Sequence, residues 1–313
     1  MFNDSHHFSI SGGTFSNIQV DTTVDKSAKN LRILQQATAP GASHDSAERY
    51  PPPKCHPKTR EAILNTILVL WLYGPAGAGK SAIAQTAAEI CRDKKWLAAS
   101  FFFSRSSKDR NTEHHLVATL AYQLAIAIPE AKDVILKVVE EDPSIFFKSV
   151  EVQAKELLLS PISKAYHGAD PKKWPKLVII DGLDECTGHE MQCRILRIIY
   201  EVLSKDFPFC VLVCSRPEPV IRDEFLASEL GEITQKLALD DSYQARADIF
   251  VFLSSGFDKI HDKHQRLGTM THVSKPWPPI HTIDALVFKS SGHFIYAATV
   301  LKFVDNPRAH VSQ

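Results

Sequence analysis

Short apolar segments alternate with longer amphipathic segments along most of the chain. The apolar segments are four to seven residues long, as expected for buried strands. They cover residues 67–73, 98–103, 177–180, 209–214 and 233–239. Helical patterns cover residues 80–95, 112–128, 129–141, 151–159 and 189–204. This alternation predicts a three-layer α/β fold, in which helices cover both faces of a parallel sheet.

The two ends of the chain have a different pattern. Small and polar residues and prolines dominate residues 1–54, which predicts a weakly ordered segment and linker. Helical patterns at 241–254 and 282–303 flank a polar, proline-rich stretch. We therefore expect three parts: the N-terminal segment 1–54, an α/β core at 55–239 and a small helical domain at 240–313.

Composition narrows the classes of partner. The 313 residues contain 36 Lys and Arg against 36 Asp and Glu, so no net charge attracts the protein to nucleic acid or to an anionic membrane. No apolar run approaches the roughly 20 residues of a membrane-spanning helix, and residues 1–20 lack the pattern of a secretory signal. The six cysteines contain no CxxC pair. We expect a soluble, cytoplasmic protein with reduced cysteines.

A phosphate-binding motif follows the first predicted strand. The sequence fits GxxxxGK[ST] between an apolar strand and an amphipathic helix. The motif consists of Gly74, Pro75, Ala76, Gly77, Ala78, Gly79, Lys80 and Ser81. Such a loop directs backbone N–H groups at phosphate oxygens, and the helix N-terminus adds its positive dipole end. The motif predicts that Lys80 contacts the β and γ phosphates and that the Ser81 hydroxyl binds Mg²⁺.

Acidic residues follow the predicted strand at 177–180. In a parallel sheet with this loop, the end of that strand lies next to the phosphates, so Asp181 is expected to hold Mg²⁺, directly or through water. Either Asp184 or Glu185 could then orient the attacking water as a general base.

A cation follows the fourth predicted strand. Arg216 comes directly after the apolar segment 209–214 and a serine, at the sheet edge where open α/β sheets bind ligands. We expect it to contact the γ-phosphate, with a surface arginine before Pro217 as the alternative.

Taken together, these motifs resemble those of NACHT-type members of the STAND class of P-loop NTPases, in the form common in fungal NOD-like receptors. The acidic segment 181–185 has the family's form, with a glycine straight after the Mg²⁺ aspartate. Residues 55–60 resemble the segment before the first strand and are expected near the adenine, and residues 290–298 resemble a helix of the small helical domain. The resemblance covers about residues 50 to 310.

The resemblance implies a regulatory function. It implies Mg²⁺-dependent binding of ATP or ADP with slow hydrolysis, in which the nucleotide state controls assembly into a homo-oligomer or with other signalling proteins. ATP is preferred over GTP on the resemblance alone. One alternative is a scaffold that binds nucleotide and oligomerises without turnover. Another is a small-molecule kinase or sulfotransferase on the same fold.

The ends of the chain depart from the family pattern. Family members usually continue into a winged helix and repeats and carry a sizeable N-terminal effector domain. We therefore expect a fragment, a shortened paralogue or an incomplete gene model, with fast nucleotide exchange. Residues 7–20 alternate apolar and polar positions around a Gly-Gly pair. This segment is either a self-templating β motif or a disordered tail or lone hairpin.

Overall fold

The computed structural model describes residues 22–56, 59, 70–166, 169–204, 208–239 and 243–306. Its strands form one five-stranded, all-parallel sheet in the order β2-β3-β4-β1-β5. The strands are β1 (Leu70–Tyr73), β2 (Leu97–Phe102), β3 (Leu177–Asp181), β4 (Cys210–Ser215) and β5 (Gln235–Ala238). Parallel strands need crossover connections, and helices provide them here.

The helices fall before, between and after the strands. Those before or between strands are α1 (Thr22–Gln36), α2 (Lys80–Asp93), α3 (Leu116–Ala127), α4 (Pro129–Glu141), α5 (Val150–Ala154), α6 (Ser160–Tyr166), α7 (His189–Leu203), α8 (Pro219–Ala227) and α9 (Glu229–Ile233). After β5 come α10 (Tyr243–Arg266), α11 (Ile280–Ser290) and α12 (Phe294–Val304). A π-helical turn, Lys155–Leu159, joins α5 to α6. Short 3₁₀ turns occur at Pro40–Ala42, Ala47–Arg49, Pro143–Phe147, Pro171–Lys173 and Leu183–Glu185.

Side-chain alternation along the strands separates two cores. In β4, Val211 and Val213 belong to the large core beneath α3, α4 and α7, whereas Leu212 and Cys214 belong to the smaller core beneath α2. Successive strand residues point to opposite faces, so a strand buried on both sides reads as a continuous apolar run. The three-layer α/β fold with a parallel sheet is therefore confirmed.

The structure differs from the prediction for the segment before the core, which we expected to be a weakly ordered linker. Residues 22–36 form α1, and Leu34, Ala39 and Ala42 are fully buried in the large core. Ala39 N donates to Thr119 Oγ1 at 3.0 Å, and His44 N donates to Ser100 Oγ on edge strand β2 at 3.2 Å. Weak order is thus the wrong description of this part of segment 1–54, because a few apolar side chains and backbone hydrogen bonds dock it on the sheet. Residues 7–20 lie outside the described residues.

The C-terminal helices have a hydrophobic core of their own. Members of this core include Ile249, Leu253, Phe257, Ile283 and Ala297. The pattern at 282–303 predicts one helix, but the structure has two, because Ser291 and Gly292 adopt left-handed φ angles of 45° and 78°. Within the described part of the chain, no helix is both long and apolar enough to cross a membrane.

Candidate functional site

The loop between β1 and α2 carries the glycine motif. Gly77 and Gly79 have φ angles of 79° and 97°, a conformation that favours glycine. Gly79 is the N-cap of α2, and Lys80 is its first residue. The loop therefore ends at the N-terminus of a 14-residue helix, at the carboxyl edge of the sheet.

Two glycines of this loop lie against other parts of the chain. A Cβ added to Gly74 would be 2.7 Å from the carbonyl oxygen of Leu239, just after β5. A Cβ on Gly77 would be 2.2 Å from the Ile295 side chain, and Ile295 N donates to Gly77 O at 3.3 Å. The loop is thus packed between the end of the sheet and the first turn of α12.

Lys80 folds back over the loop. Its ammonium donates to the carbonyl oxygens of Gly74 at 2.8 Å and Pro75 at 2.9 Å. Burial lowers the pKa of this ammonium, while the negative charges of Asp184 and Asp181 act in the opposite direction. The Lys80 ammonium is therefore partly removed from water and held against the glycine loop.

Asp181 lies beneath Ser81 at the end of β3. The carboxylate is 4% exposed, and burial raises its pKa to about 6, partly offset by a hydrogen bond from Ser81 and by the charge of Arg49. Among the described residues, nothing donates a hydrogen bond to its buried Oδ1. An unsatisfied buried carboxylate oxygen is costly unless a ligand or cation occupies it.

Arg49 comes from the segment that precedes the α/β core. Its guanidinium lies 3.4 Å from the ring centroid of Phe102, the register partner of Asp181, and donates to Gln85 Oε1 at 2.8 Å. Burial lowers the pKa of Arg49 to about 10, and the charge of Asp181 opposes this shift. This cation therefore contributes to the electrostatics of the site from outside the predicted motifs.

Asp184 is joined to Arg216 through both of its carboxylate oxygens. Arg216 N donates to Oδ1 at 2.9 Å, and Arg216 Nε lies 3.1 Å from Oδ2. The Asp184 side chain is 3% exposed, whereas that of Arg216 is 39% exposed. Asp184 thus fixes the backbone just after β4 and orients the Arg216 side chain, which lines the cavity described below.

Glu185 is held differently. Its Oε2 accepts a hydrogen bond from the backbone N–H of Arg105, at 2.9 Å, in the loop after β2. The Arg105 guanidinium also donates to the carbonyl oxygen of Asp184 at 3.1 Å. Both acids line the cavity described next, but Glu185 is half-buried whereas Asp184 is buried, so Glu185 is the more accessible of the two.

The loop and the acids open into one cavity of about 520 Å³. This volume lies within the usual range for small-molecule and cofactor sites. At one end the cavity is lined by nine of the sequence-predicted site residues: Ala76, Gly77, Gly79, Lys80, Ser81, Asp181, Asp184, Glu185 and Arg216. Gly74, Pro75 and Ala78 lie in the loop behind this wall.

The other end of the cavity is aromatic. His56, Phe252 and Phe294 line it, with ring centroids 5.9 Å apart for His56 and Phe252 and again for Phe252 and Phe294. His56 Nε2 also lies 3.0 Å from Ser255 Oγ. Motif analysis missed Phe252, which is far from the loop in sequence and whose only signal is a place in an amphipathic helix.

The fold and the cavity together define the class. An all-parallel sheet with a glycine-rich loop after a central strand is consistent with the P-loop NTPase fold. Residues 56–216, just over half of the chain, match the family described as Nephrocystin 3, N-terminal, and the chain belongs to this family. None of the curated proteins matches the sequence. The resemblance to NACHT-type NTPases is thus supported at the level of this family and fold.

Proposed function

We propose that the protein binds Mg²⁺-ATP in this cavity and hydrolyses it slowly, as a regulatory switch of the NOD-like receptor type. The observation that carries the proposal is the meeting of the loop at 74–81 with buried Asp181 at the end of a 520 Å³ cavity. A glycine-rich loop on its own can simply be a turn that joins a strand to a helix. The combination supports a site for a nucleotide polyphosphate, with the loop and Lys80 contacting the phosphates.

The residues present fit a magnesium ion. Oxygen ligands are those that Mg²⁺ prefers, and the Ser81 hydroxyl and the Asp181 carboxylate with its unsatisfied Oδ1 supply them. When bound, the ion would neutralise charge on the phosphate oxygens. The protein itself would hold the Ser81 hydroxyl and the Asp181 carboxylate close together and exclude water around Asp181.

The aromatic end of the cavity supports binding of a purine base. Phe252 and Phe294 offer ring surfaces on which a base can stack, and His56 offers a polar edge. The aromatic surfaces do not by themselves discriminate adenine from guanine, so the preference for ATP rests on the family resemblance.

We propose different roles for the two acids. The Asp184 carboxylate accepts a hydrogen bond from the Arg216 N–H and forms an ion pair with the Arg216 guanidinium, so we propose that it positions Arg216 toward the γ-phosphate. Both acids line the cavity, but Glu185 is less buried than Asp184, so we propose that Glu185 orients the attacking water as a general base. The sequence left both acids open as the general base, and the proposal chooses Glu185.

A scaffold without turnover is the second candidate. It is favoured by one observation: Asp184 is engaged by Arg216 and Glu185 by the Arg105 N–H, so both acids are already hydrogen-bonded. Such a protein would bind ATP or ADP through the same loop and change its assembly without hydrolysis. Either function uses the proposed division into a core at 55–239 and a helical domain at 240–313, with the cavity between them.

Calorimetric titration of Mg²⁺-ATP tests the binding site. Lys80→Ala removes a charge-assisted contact worth about 1.5–3 kcal/mol, so we expect affinity to fall about 10 to 100-fold. The matched control is Lys137→Ala, which removes an exposed lysine paired with Glu141 on α4 and should leave affinity unchanged. Equal affinity in the Lys80 variant and the wild type would refute the assignment of the loop.

A further inference from the structure

The loop after β2 is attached to the acidic turn after β3 at both ends. Phe103 N donates to Asp181 O at 2.9 Å, and Thr187 N donates to Asn111 O at 2.7 Å. These bonds place residues 103–111 alongside residues 181–187. The loop therefore lies directly behind the acids that the proposed function uses.

Within this loop, Arg105 contacts both Asp184 and Glu185, the two residues that one peptide bond joins. Its N–H donates to the Glu185 carboxylate, and its guanidinium donates to the Asp184 carbonyl oxygen. Gln192 Nε2, on α7, lies 3.5 Å from the same carbonyl oxygen, which is a longer contact than that of Arg105. Arg105 thus fixes the peptide between Asp184 and Glu185 as well as one oxygen of the Glu185 side chain.

The loop itself is closed by short-range hydrogen bonds. Ser104 N donates to Arg110 O at 2.9 Å, and Arg110 N donates to Ser107 O at 3.1 Å. Closure makes the loop a defined support for the Arg105 backbone. Arg105 is not among the described residues that line the cavity, so its contacts reach the nucleotide site only through the acids.

We infer that Arg105 is a positioning residue for Glu185 in nucleotide hydrolysis. The inference rests on the proposed function. Its guanidinium holds the backbone from which the Glu185 side chain projects, and its N–H leaves the other carboxylate oxygen to face the attacking water. A small displacement of a catalytic group slows chemistry strongly while binding is preserved.

Single-turnover hydrolysis of Mg²⁺-ATP and calorimetric binding test this role. For Arg105→Ala we expect a rate about 10-fold lower with the dissociation constant within about 2-fold of wild type. Lys108→Ala is the matched control, because it removes an exposed cation from the same loop and should change neither quantity. Arg105→Lys keeps a donor for the Asp184 carbonyl and should recover part of the rate.

A double variant distinguishes positioning from general damage. If Arg105 acts through Glu185, Arg105→Ala adds no further loss to Glu185→Gln, whereas independent effects multiply. The inference would be overturned if the rate losses of Arg105→Ala and Glu185→Gln multiply in the double variant. It would also be overturned by a wild-type rate in Arg105→Ala or by an equal loss of rate in Lys108→Ala. Thermal unfolding checks each variant. If Arg105→Ala does not fold, Arg105→Met, which keeps side-chain length but has no donor for the Asp184 carbonyl, replaces it, and an unchanged rate in Arg105→Met overturns the inference equally.

Failure of the proposed function has a separate signature. A wild-type protein that does not bind ATP would refute the nucleotide site, and one that binds without turnover would refute hydrolysis and, with it, this inference. Wild-type turnover combined with an unchanged Arg105→Ala rate would refute the inference alone.

Discussion

Asp181 shows how a single buried side chain can be unfavourable for folding and useful for ligand binding. Its carboxylate is almost fully buried, its Oδ1 has no hydrogen-bond donor among the described residues, and its pKa is raised from 3.8 to about 6. The folded chain therefore holds the Asp181 proton more tightly than the unfolded chain. The stability that this proton provides is present below about pH 4 and is lost as the pH rises through 6.

The first prediction at this scale concerns Asp181→Asn. A pKa difference of about two pH units corresponds to about 3 kcal/mol, so the ligand-free variant should be more stable than wild type at pH 8 by up to that amount. Near pH 4 the two should converge. Urea unfolding at both pH values, without Mg²⁺, measures this, and a variant less stable than wild type at pH 8 would contradict it.

A second prediction separates Glu185 from Asp184. Glu185→Gln should slow hydrolysis at least about 100-fold with unchanged ATP affinity and unchanged melting temperature. Asp184→Asn weakens the pair with Arg216 and should lower stability by about 2 kcal/mol, less than for a fully buried pair because the arginine is 39% exposed. Single-turnover rates and thermal melts compare them. Equal melting temperatures for the two variants would count against the positioning role of Asp184.

At the scale of elements, the segment at 22–49 contributes buried side chains to the large hydrophobic core. Leu34 is fully buried, and its neighbours in the large core come from α3 and α4. The turns at Pro40–Ala42 and Ala47–Arg49 then bring the segment past the edge strand β2. Covering an edge strand also blocks unwanted strand pairing.

The matching prediction compares adjacent residues of α1. Leu34→Ala should lower the free energy of unfolding by about 2–5 kcal/mol, because it leaves a cavity in the large core. Gln35→Ala changes an exposed residue of the same helix and should alter stability by less than about 0.5 kcal/mol. Urea unfolding of the two variants would show similar midpoints if α1 were only loosely attached.

The sequence predicted the sheet well because its central strands are apolar runs buried on both faces, as in β3 and β4. It did not predict α8 and α9, since helices of nine and five residues present too short an amphipathic pattern. It also missed α1, whose apolar residues are few and whose burial depends on contacts with α3 and α4, which come much later in the chain.

Much of the candidate site could be predicted because the phosphate loop and the acids are local motifs. Arg105, Arg49 and Phe252 could not, because each contributes through tertiary contacts that no short motif encodes. The roles assigned to the motif residues stay predictions until nucleotide binding is measured.

At the scale of the whole molecule, the cavity is built by parts that are far apart in sequence. The end lined by the glycine loop and the acids belongs to the α/β core, and the aromatic end includes Phe252 of α10 and Phe294 of α12. A ligand that spans both ends stabilises their association, since binding favours the arrangement that makes both sets of contacts.

We therefore predict that Phe252→Ala weakens ATP affinity about 10-fold through loss of base stacking. Binding of inorganic tripolyphosphate, which has no base, should be unchanged. Phe288→Ala is the control, because this phenylalanine is 76% exposed on α11 and lies outside the cavity wall. Calorimetric titration with ATP and with tripolyphosphate measures both affinities. An equal loss of affinity for tripolyphosphate in Phe252→Ala would contradict the placement of the base against Phe252.

The strand order determines when the site can first exist during protein synthesis. The strand β1, which carries the phosphate loop, lies between β4 and β5, and Gly74 packs against Leu239. At about 5–20 residues per second, a ribosome needs on the order of 10 s to proceed from β1 to the end of β5. Until β4 is made, β1 has neither of its neighbouring strands, and until β5 is made it still lacks one, so the glycine loop reaches its final packing only when the sheet is finished.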